Sequence, residues 1–197
     1  MSAHSDTLRW YTRNADAFEK GALACDTPKD LVTFAQKLKG DKVLDAGCGV
    51  GRDMLTFTNL GLDVTGLEPT PALASKARER TQLPVLTRSL TQPIEETWDG
   101  VWCLAVLVHI PLDQWENVIS NIWNALNPGG WAYISVKKGD TGESVDSQGR
   151  PLTLVSHEDL KALVSNVTSH HMITTLNANT STGEIAPWLN IWLHKDT

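Results

Sequence analysis

The segment Val43-Leu44-Asp45-Ala46-Gly47-Cys48-Gly49-Val50-Gly51 carries the sharpest chemical signal in the chain. A short apolar run ends in an acid, passes through alternate glycines and continues into a helical pattern. Such glycines let the backbone turn tightly and approach a ligand closely. The helix start offers free N–H groups. Asp45, at the strand end, would repel a phosphate and suits a cation such as an ammonium. A second acid, Glu68, closes the next apolar run 23 residues later. From that position a carboxylate accepts hydrogen bonds from ribose hydroxyls. Together the two acids ask for a nucleoside with a positively charged, amino-acid-like end, which is the shape of S-adenosylmethionine. A nicotinamide dinucleotide fits the same residues poorly. Its fingerprint wants G-x-G-x-x-G, but Arg52 stands at the third position and Asp45 would face the pyrophosphate.

The elements that must position these groups alternate between strand and helix patterns. Thr27-Pro28-Lys29-Asp30 reads as a helix cap, with Leu31, Phe34, Ala35 and Leu38 on one face. Strands are predicted at 42–46, 62–67 and 84–87, with helices from Arg52 to Leu60 and from Thr70 to about Arg80. Val101 to Val108 is a continuous apolar run, as in a strand buried on both faces. A helical stripe follows from Asp113, then a turn at 127–130 and a strand at 131–136. The stretch 138–150 is polar and Gly-rich and reads as a mobile loop or loose hairpin. Ser156 to Asp159 is a capping box before a short helix, and 171–176 and 188–193 are the last strands, joined by 177–187. Residues 1–24 form an N-terminal helix or cap. This alternation predicts one α/β domain over 1–197 with a mainly parallel sheet, whose ligands bind beyond the strand C-termini.

Composition narrows the partners. The 197 residues hold 17 basic and 23 acidic side chains, for a net charge of −6, and no basic cluster suggests nucleic acid. The longest apolar run is about 8 residues, far below the ~20 of a membrane-spanning helix. The N-terminus lacks a signal-peptide pattern, so a soluble cytosolic protein is expected. Three cysteines without C-x-x-C spacing predict neither disulfides nor a zinc site. The vicinal His170-His171 would point to opposite faces of a strand, so no metal site is expected. Trp (8) outnumbers Phe (3) and Tyr (2) together. Most of the tryptophans read as core filling, with Trp10 and Trp188 placed to approach a pocket.

The chain resembles the class I S-adenosylmethionine-dependent methyltransferases of the small bacterial type. The resemblance is carried by Tyr11-Thr12-Arg13-Asn14-Ala15-Asp16-Ala17-Phe18, by Asp45 to Asp53, by Glu68, by Trp98 to Trp102 and by Val108 to Pro111. Leu126 to Gly130 and Trp188-Leu189-Asn190 complete it. It implies a Rossmann-like seven-stranded sheet of order 3-2-1-4-5-7-6, with strand 7 antiparallel and helices on both faces. It also implies that Gly47, Cys48 and Gly49 lie against the methionine part of the cofactor, with Arg52 starting the helix beside them. Glu68 would bind ribose and Pro69 would pack near adenine. Ser89 and Leu90 would sit at the adenine edge, where relatives often carry Asp and where Ser accepts more weakly. Cys103, Leu104 and Ala105 would pass the sulfonium, and Tyr11 could close over the cofactor.

Methyl transfer asks the protein mainly for alignment and exclusion of water. A base is needed only where the acceptor must lose a proton. His109, following the fourth core strand, is the candidate base; its other reading is a histidine that hydrogen-bonds the backbone at a helix start. Cys48 and Cys103 read as small buried thiols rather than nucleophiles. No Asn/Asp-Pro-Pro-aromatic motif stands at Leu104 to Leu107, so a small-molecule acceptor is expected. The alternative is a non-catalytic cofactor-binding sensor or partner-binding protein on the same fold.

Overall fold

The computed structural model describes residues 3–179 and 185–197. Two helices, α1 (Ala3–Arg13) and α2 (Ala15–Ala24), precede α3 (Lys29–Lys37). Then come β1 (Lys42–Ala46), α4 (Arg52–Asn59), β2 (Asp63–Leu67), α5 (Pro71–Thr81), β3 (Val85–Leu86) and β4 (Trp98–Leu104). The second half holds α6 (Trp115–Asn124), β5 (Leu126–Lys137), a hairpin of β6 (Gly142–Val145) and β7 (Pro151–Leu154), α7 (His157–Val167), β8 (His171–Asn179) and β9 (Ile185–His194). The main sheet has the order β3-β2-β1-β4-β5-β9-β8. All neighbours are parallel except β9, which runs antiparallel to both β5 and β8. With the hairpin set aside, this is the expected 3-2-1-4-5-7-6 topology. No helix among the described residues is long and apolar enough to cross a membrane.

The two sheet faces differ. Against one pack Trp115, Val118, Ile119 and Ile122 of α6 and Leu160 and Val164 of α7, a mostly aliphatic layer. Against the other pack Leu31 and Phe34 of α3, Met54 and Phe57 of α4, and Ala74 and Ala77 of α5. There the sheet contributes aromatics: Trp102 stacks on Tyr133 at 4.2 Å between ring centres, and Trp192 meets Tyr133 edge-on at 4.9 Å. Fully burying one such side chain stabilises the fold by about 1.5–3 kcal/mol. Trp98, Trp102, Trp115 and Trp192 are buried, while Trp123 and Trp131 are half-buried against the core.

Several local expectations are corrected. The helix expected from the Thr27 cap starts at Lys29, with Pro28 at the cap position and no side-chain cap. Asp30 is thereby released from a capping box and bonds across the sheet instead. The run 101–108 is not one strand. β4 ends at Leu104, Ala105 takes φ +57°, and a single 3₁₀ turn covers Leu107–His109. The Ala105 N–H bonds the Ser135 carbonyl at 3.1 Å, which fixes the bend. The turn at 127–130 exists as an outward bulge within β5, because Trp98 pairs with Leu126 while Gly100 pairs with Trp131. The 138–150 stretch is the first strand and turn of the β6–β7 hairpin; Asp146 Oδ1 accepts from the N–H groups of Gln148 and Arg150, each at 2.9 Å. The Ser156 cap is present, its hydroxyl accepting from the Asp159 N–H. Of the connection 177–187, residues 180–184 lie outside the described residues.

Candidate functional site

A cavity of about 790 Å³ lies over the C-terminal ends of β1, β2, β4 and β5. Tyr11, Asp45, Gly47, Cys48, Gly49, Arg52, Glu68, Pro69, Ser89, Leu90, Leu104, Ala105 and His109 all line it. Cys103 does not. It is fully buried among the aliphatic residues on the α6 and α7 face, because neighbouring strand residues point to opposite faces. Trp188 lines the cavity, whereas Trp10 borders a smaller hollow beside it.

The β1–α4 turn is held by backbone: the N–H groups of Gly47 and Cys48 both donate to the Leu67 carbonyl, at 2.6 and 3.1 Å. Gly47 has φ +83°, and a Cβ there would lie 2.2 Å from Val106 Cγ2. The position therefore admits glycine for both conformation and space. Three acids gather behind this turn, Asp45, Asp53 and Glu68, each no more than 6% exposed. Glu68 accepts from the Gly49 N–H at 3.2 Å and from the Thr70 N–H at 2.8 Å. Two bonds leave a carboxylate further lone pairs for a ligand. Asp53 accepts from Trp102 Nε1 at 3.0 Å and from Arg52 Nε at 2.7 Å. Asp45 Oδ2 is buried with no hydrogen-bond partner among the described residues. Burial first, then the Asp53 charge, holds the Asp45 carboxyl well above its usual range, with Arg52 opposing. Glu68 is also raised, by burial against its backbone hydrogen bonds. Burial, with Asp45 adding to it, pushes the Cys48 thiol upward too, so it stays protonated and unreactive.

Above the turn, α1 meets the hairpin. The Tyr11 hydroxyl lies 2.8 Å from His109 Nε2 and accepts from Arg150 Nη1 at 3.2 Å. His109 Nδ1 lies 3.3 Å from the Pro151 carbonyl. A carbonyl can only accept, so in the neutral ring Nδ1 carries the hydrogen and Nε2 accepts from Tyr11. Arg150 and Asp146 form a buried pair at 2.6 Å, and Trp10 Nε1 donates to the Gln148 carbonyl at 3.1 Å. Burial pushes the Tyr11 hydroxyl up to about 12, against the opposing pull of Arg150.

The third wall comes from β5, β9 and α3. Tyr133 Oη and Asn190 Nδ2 donate to Asp30 Oδ2 at 3.0 and 3.2 Å, and Ser135 Oγ donates to Asn190 Oδ1 at 3.0 Å. Lys137 and Trp188 line the cavity one step further out. Asp30, Tyr133, Asn190, Arg150 and Asp146 were missed as site residues. Asn190 fell within a noted landmark but had no assigned role, and Arg150 lay in a polar stretch without periodicity.

The family described as the methyltransferase domain matches residues 43–130. That match covers β1 through the β5 bulge, the part that builds the acid-lined turn. The chain is 29% identical over 134 residues to a probable S-adenosyl-L-methionine-dependent methyltransferase TehB of Haemophilus influenzae, covering 65% of this chain and 47% of that protein. It is 29% identical over 118 residues to a ubiquinone biosynthesis O-methyltransferase of Chromobacterium violaceum, covering 54% and 48%. The chain thus spans about half the length of these relatives. In structure it is similar to Burkholderia thailandensis 1,6-didemethyltoxoflavin-N1-methyltransferase, with TM-score 0.73 at 21% identity over 98% of this chain and 87% of that one. At that identity the likeness carries the fold alone, over nearly the whole of this chain.

Proposed function

We propose that the protein transfers a methyl group from S-adenosylmethionine to a small-molecule acceptor. The observation that carries this reading is the unpartnered, buried Asp45 oxygen beside the Gly47 turn. A buried acceptor without a donor costs about 1–3 kcal/mol, and a bound ammonium would relieve it. Glu68 keeps lone pairs at the end of β2 for two ribose hydroxyls. Pro69 and Leu90 give apolar packing for adenine. Ser89 Oγ accepts from the Thr91 N–H at 3.3 Å, which uses part of its acceptor capacity, so its part in holding adenine is minor. When bound, the cofactor supplies a methyl already activated on a positive sulfur. Leu104 and Ala105 would border that methyl and keep water away. Arg52 balances the acids from the helix start, and Cys48 packs as a neutral thiol. Tyr11 covers the cofactor, and His109 acts by holding Tyr11, since both its ring nitrogens face partners. The names of the relatives, which include an O-methyltransferase and an N1-methyltransferase, support a small acceptor.

Calorimetric titration with S-adenosylmethionine is expected to show binding, and Glu68→Ala is expected to weaken it about tenfold or more. No heat at millimolar cofactor with folded protein overturns the reading.

A further inference from the structure

We infer that the acceptor half of the cavity takes a small planar carboxylate, gripped by Lys137 and Trp188. The inference rests on the proposed methyl transfer for what fills the other half. Lys137 and Trp188 stand directly opposite each other on β5 and β9, and Leu176 of β8 pairs with Trp188. Directly paired strand residues lie side by side on one face. Among the described residues the Lys137 ammonium has no hydrogen-bond or ion-pair partner. The Trp188 indole nitrogen is buried and has no hydrogen-bond partner among the described residues. Both groups only donate.

One step inward the polar groups are already spent on each other. Ser135 donates to Asn190, and Asn190 and Tyr133 donate to Asp30. The outer step is left with two unused donors, one of them charged, against an apolar wall of indole and Leu176. A neutral acceptor would answer the indole and leave the ammonium without a counter-charge. A cationic acceptor would be repelled. A carboxylate satisfies both donors with charge-assisted bonds, and a flat body lies along the indole. The two ends of the cavity therefore demand opposite charges: Asp45 Oδ2 a cation, Trp188 with Lys137 an anion.

The test uses the full chain saturated with S-adenosylhomocysteine, titrated calorimetrically with protocatechuate and with its neutral primary amide. The acid is expected to bind about tenfold or more tighter than the amide. Lys137→Gln is expected to abolish that preference, and Lys137→Arg to restore it. Trp188→Phe, which keeps a flat ring and removes the N–H, is expected to reduce it. Equal or weaker binding of the acid, no binding of either probe at millimolar concentration, or a preference that survives Lys137→Gln overturns the assignment. Binding of S-adenosylhomocysteine is read first. No heat there sinks the proposed transfer, and the probe titration on cofactor-free protein then still decides the acceptor site. Normal cofactor binding without acid preference sinks the acceptor assignment alone.

Discussion

The two ends of the cavity are built by different means. The Asp45 end is made of one strand–turn–helix segment and the tip of its neighbour. Its shape is set by backbone: the Leu67 carbonyl takes two N–H groups, and Glu68 bonds the Gly49 and Thr70 amides. The Trp188 end is made of side chains that are distant in sequence. Tyr133 reaches Asp30 across 103 residues, and Asn190 reaches it across 160. A backbone-built site keeps its geometry when side chains change. A side-chain-built site can be altered one residue at a time. The proposed cofactor thus falls at the end fixed by backbone, and the proposed acceptor at the end that side chains can vary.

The comparison is broken most directly at Asp45. Its carboxylate is buried, raised by burial and by Asp53, and unpartnered at Oδ2. Asp45→Asn removes a charge that destabilises the cofactor-free protein and that the ammonium needs. Truncating one partner of a buried charged pair costs about 2–5 kcal/mol of binding. Thermal melts are expected to show a cofactor-free variant at least as stable as the parent, with cofactor affinity down about a hundredfold. A variant that melts lower and still binds normally would mean that Asp45 is structural and that this end is no better adapted to a ligand than the other.

The same residue sets a pH signature of intermediate size. The folded values of Asp45 and Glu68 are raised above their unfolded ones, which are about 3.9 and 4.3. Between the unfolded and the raised folded values the native state binds more protons. Stability of the cofactor-free protein is therefore expected to fall as pH rises from about 4 through that window. Affinity for S-adenosylmethionine is expected to rise over the same window, because the ammonium prefers ionised Asp45. Melting curves and titrations from about pH 4.5, just above those unfolded values, to neutrality check both signs, and Asp45→Asn is expected to flatten the affinity slope and to leave only the Glu68 share of the stability slope. Opposite slopes would remove the electrostatic distinction between the two ends.

What the sequence disclosed follows the same division. Asp45, the Gly47 turn and Glu68 were legible because their geometry is encoded by neighbours: an apolar run, a glycine and a helix start. The sheet order followed from the resemblance and the alternation of patterns. Asp30 was misread because Thr27-Pro28-Lys29-Asp30 satisfies a local capping rule, and local rules carry no information about Tyr133 or Asn190. The end of β4 was misread because Val106, Leu107 and Val108 are as apolar as the strand before them. Only the contact between Gly47 and Val106, and the Ala105 amide on Ser135, reveal the bend. Cys103 was assigned to the cavity by position; one residue of strand alternation turns it to the other face.

The smallest expected effect concerns the junction between the two ends, where α1 meets the hairpin. Tyr11→Phe keeps the ring that packs edge-on to Phe18 at 4.9 Å and removes the hydroxyl shared by His109 and Arg150. With its hydroxyl pushed up to about 12, Tyr11 stays protonated at neutral pH and acts there as a donor to His109. Losing one such hydrogen bond costs about 1 kcal/mol. Hydrogen–deuterium exchange is expected to quicken in α1 and in the β6–β7 turn, with β1 and α4 unchanged, and cofactor affinity is expected to drop about fivefold. If exchange instead quickens at the Gly47 turn, Tyr11 supports the backbone-built end directly, and the division between the two ends runs through α1 rather than beside it.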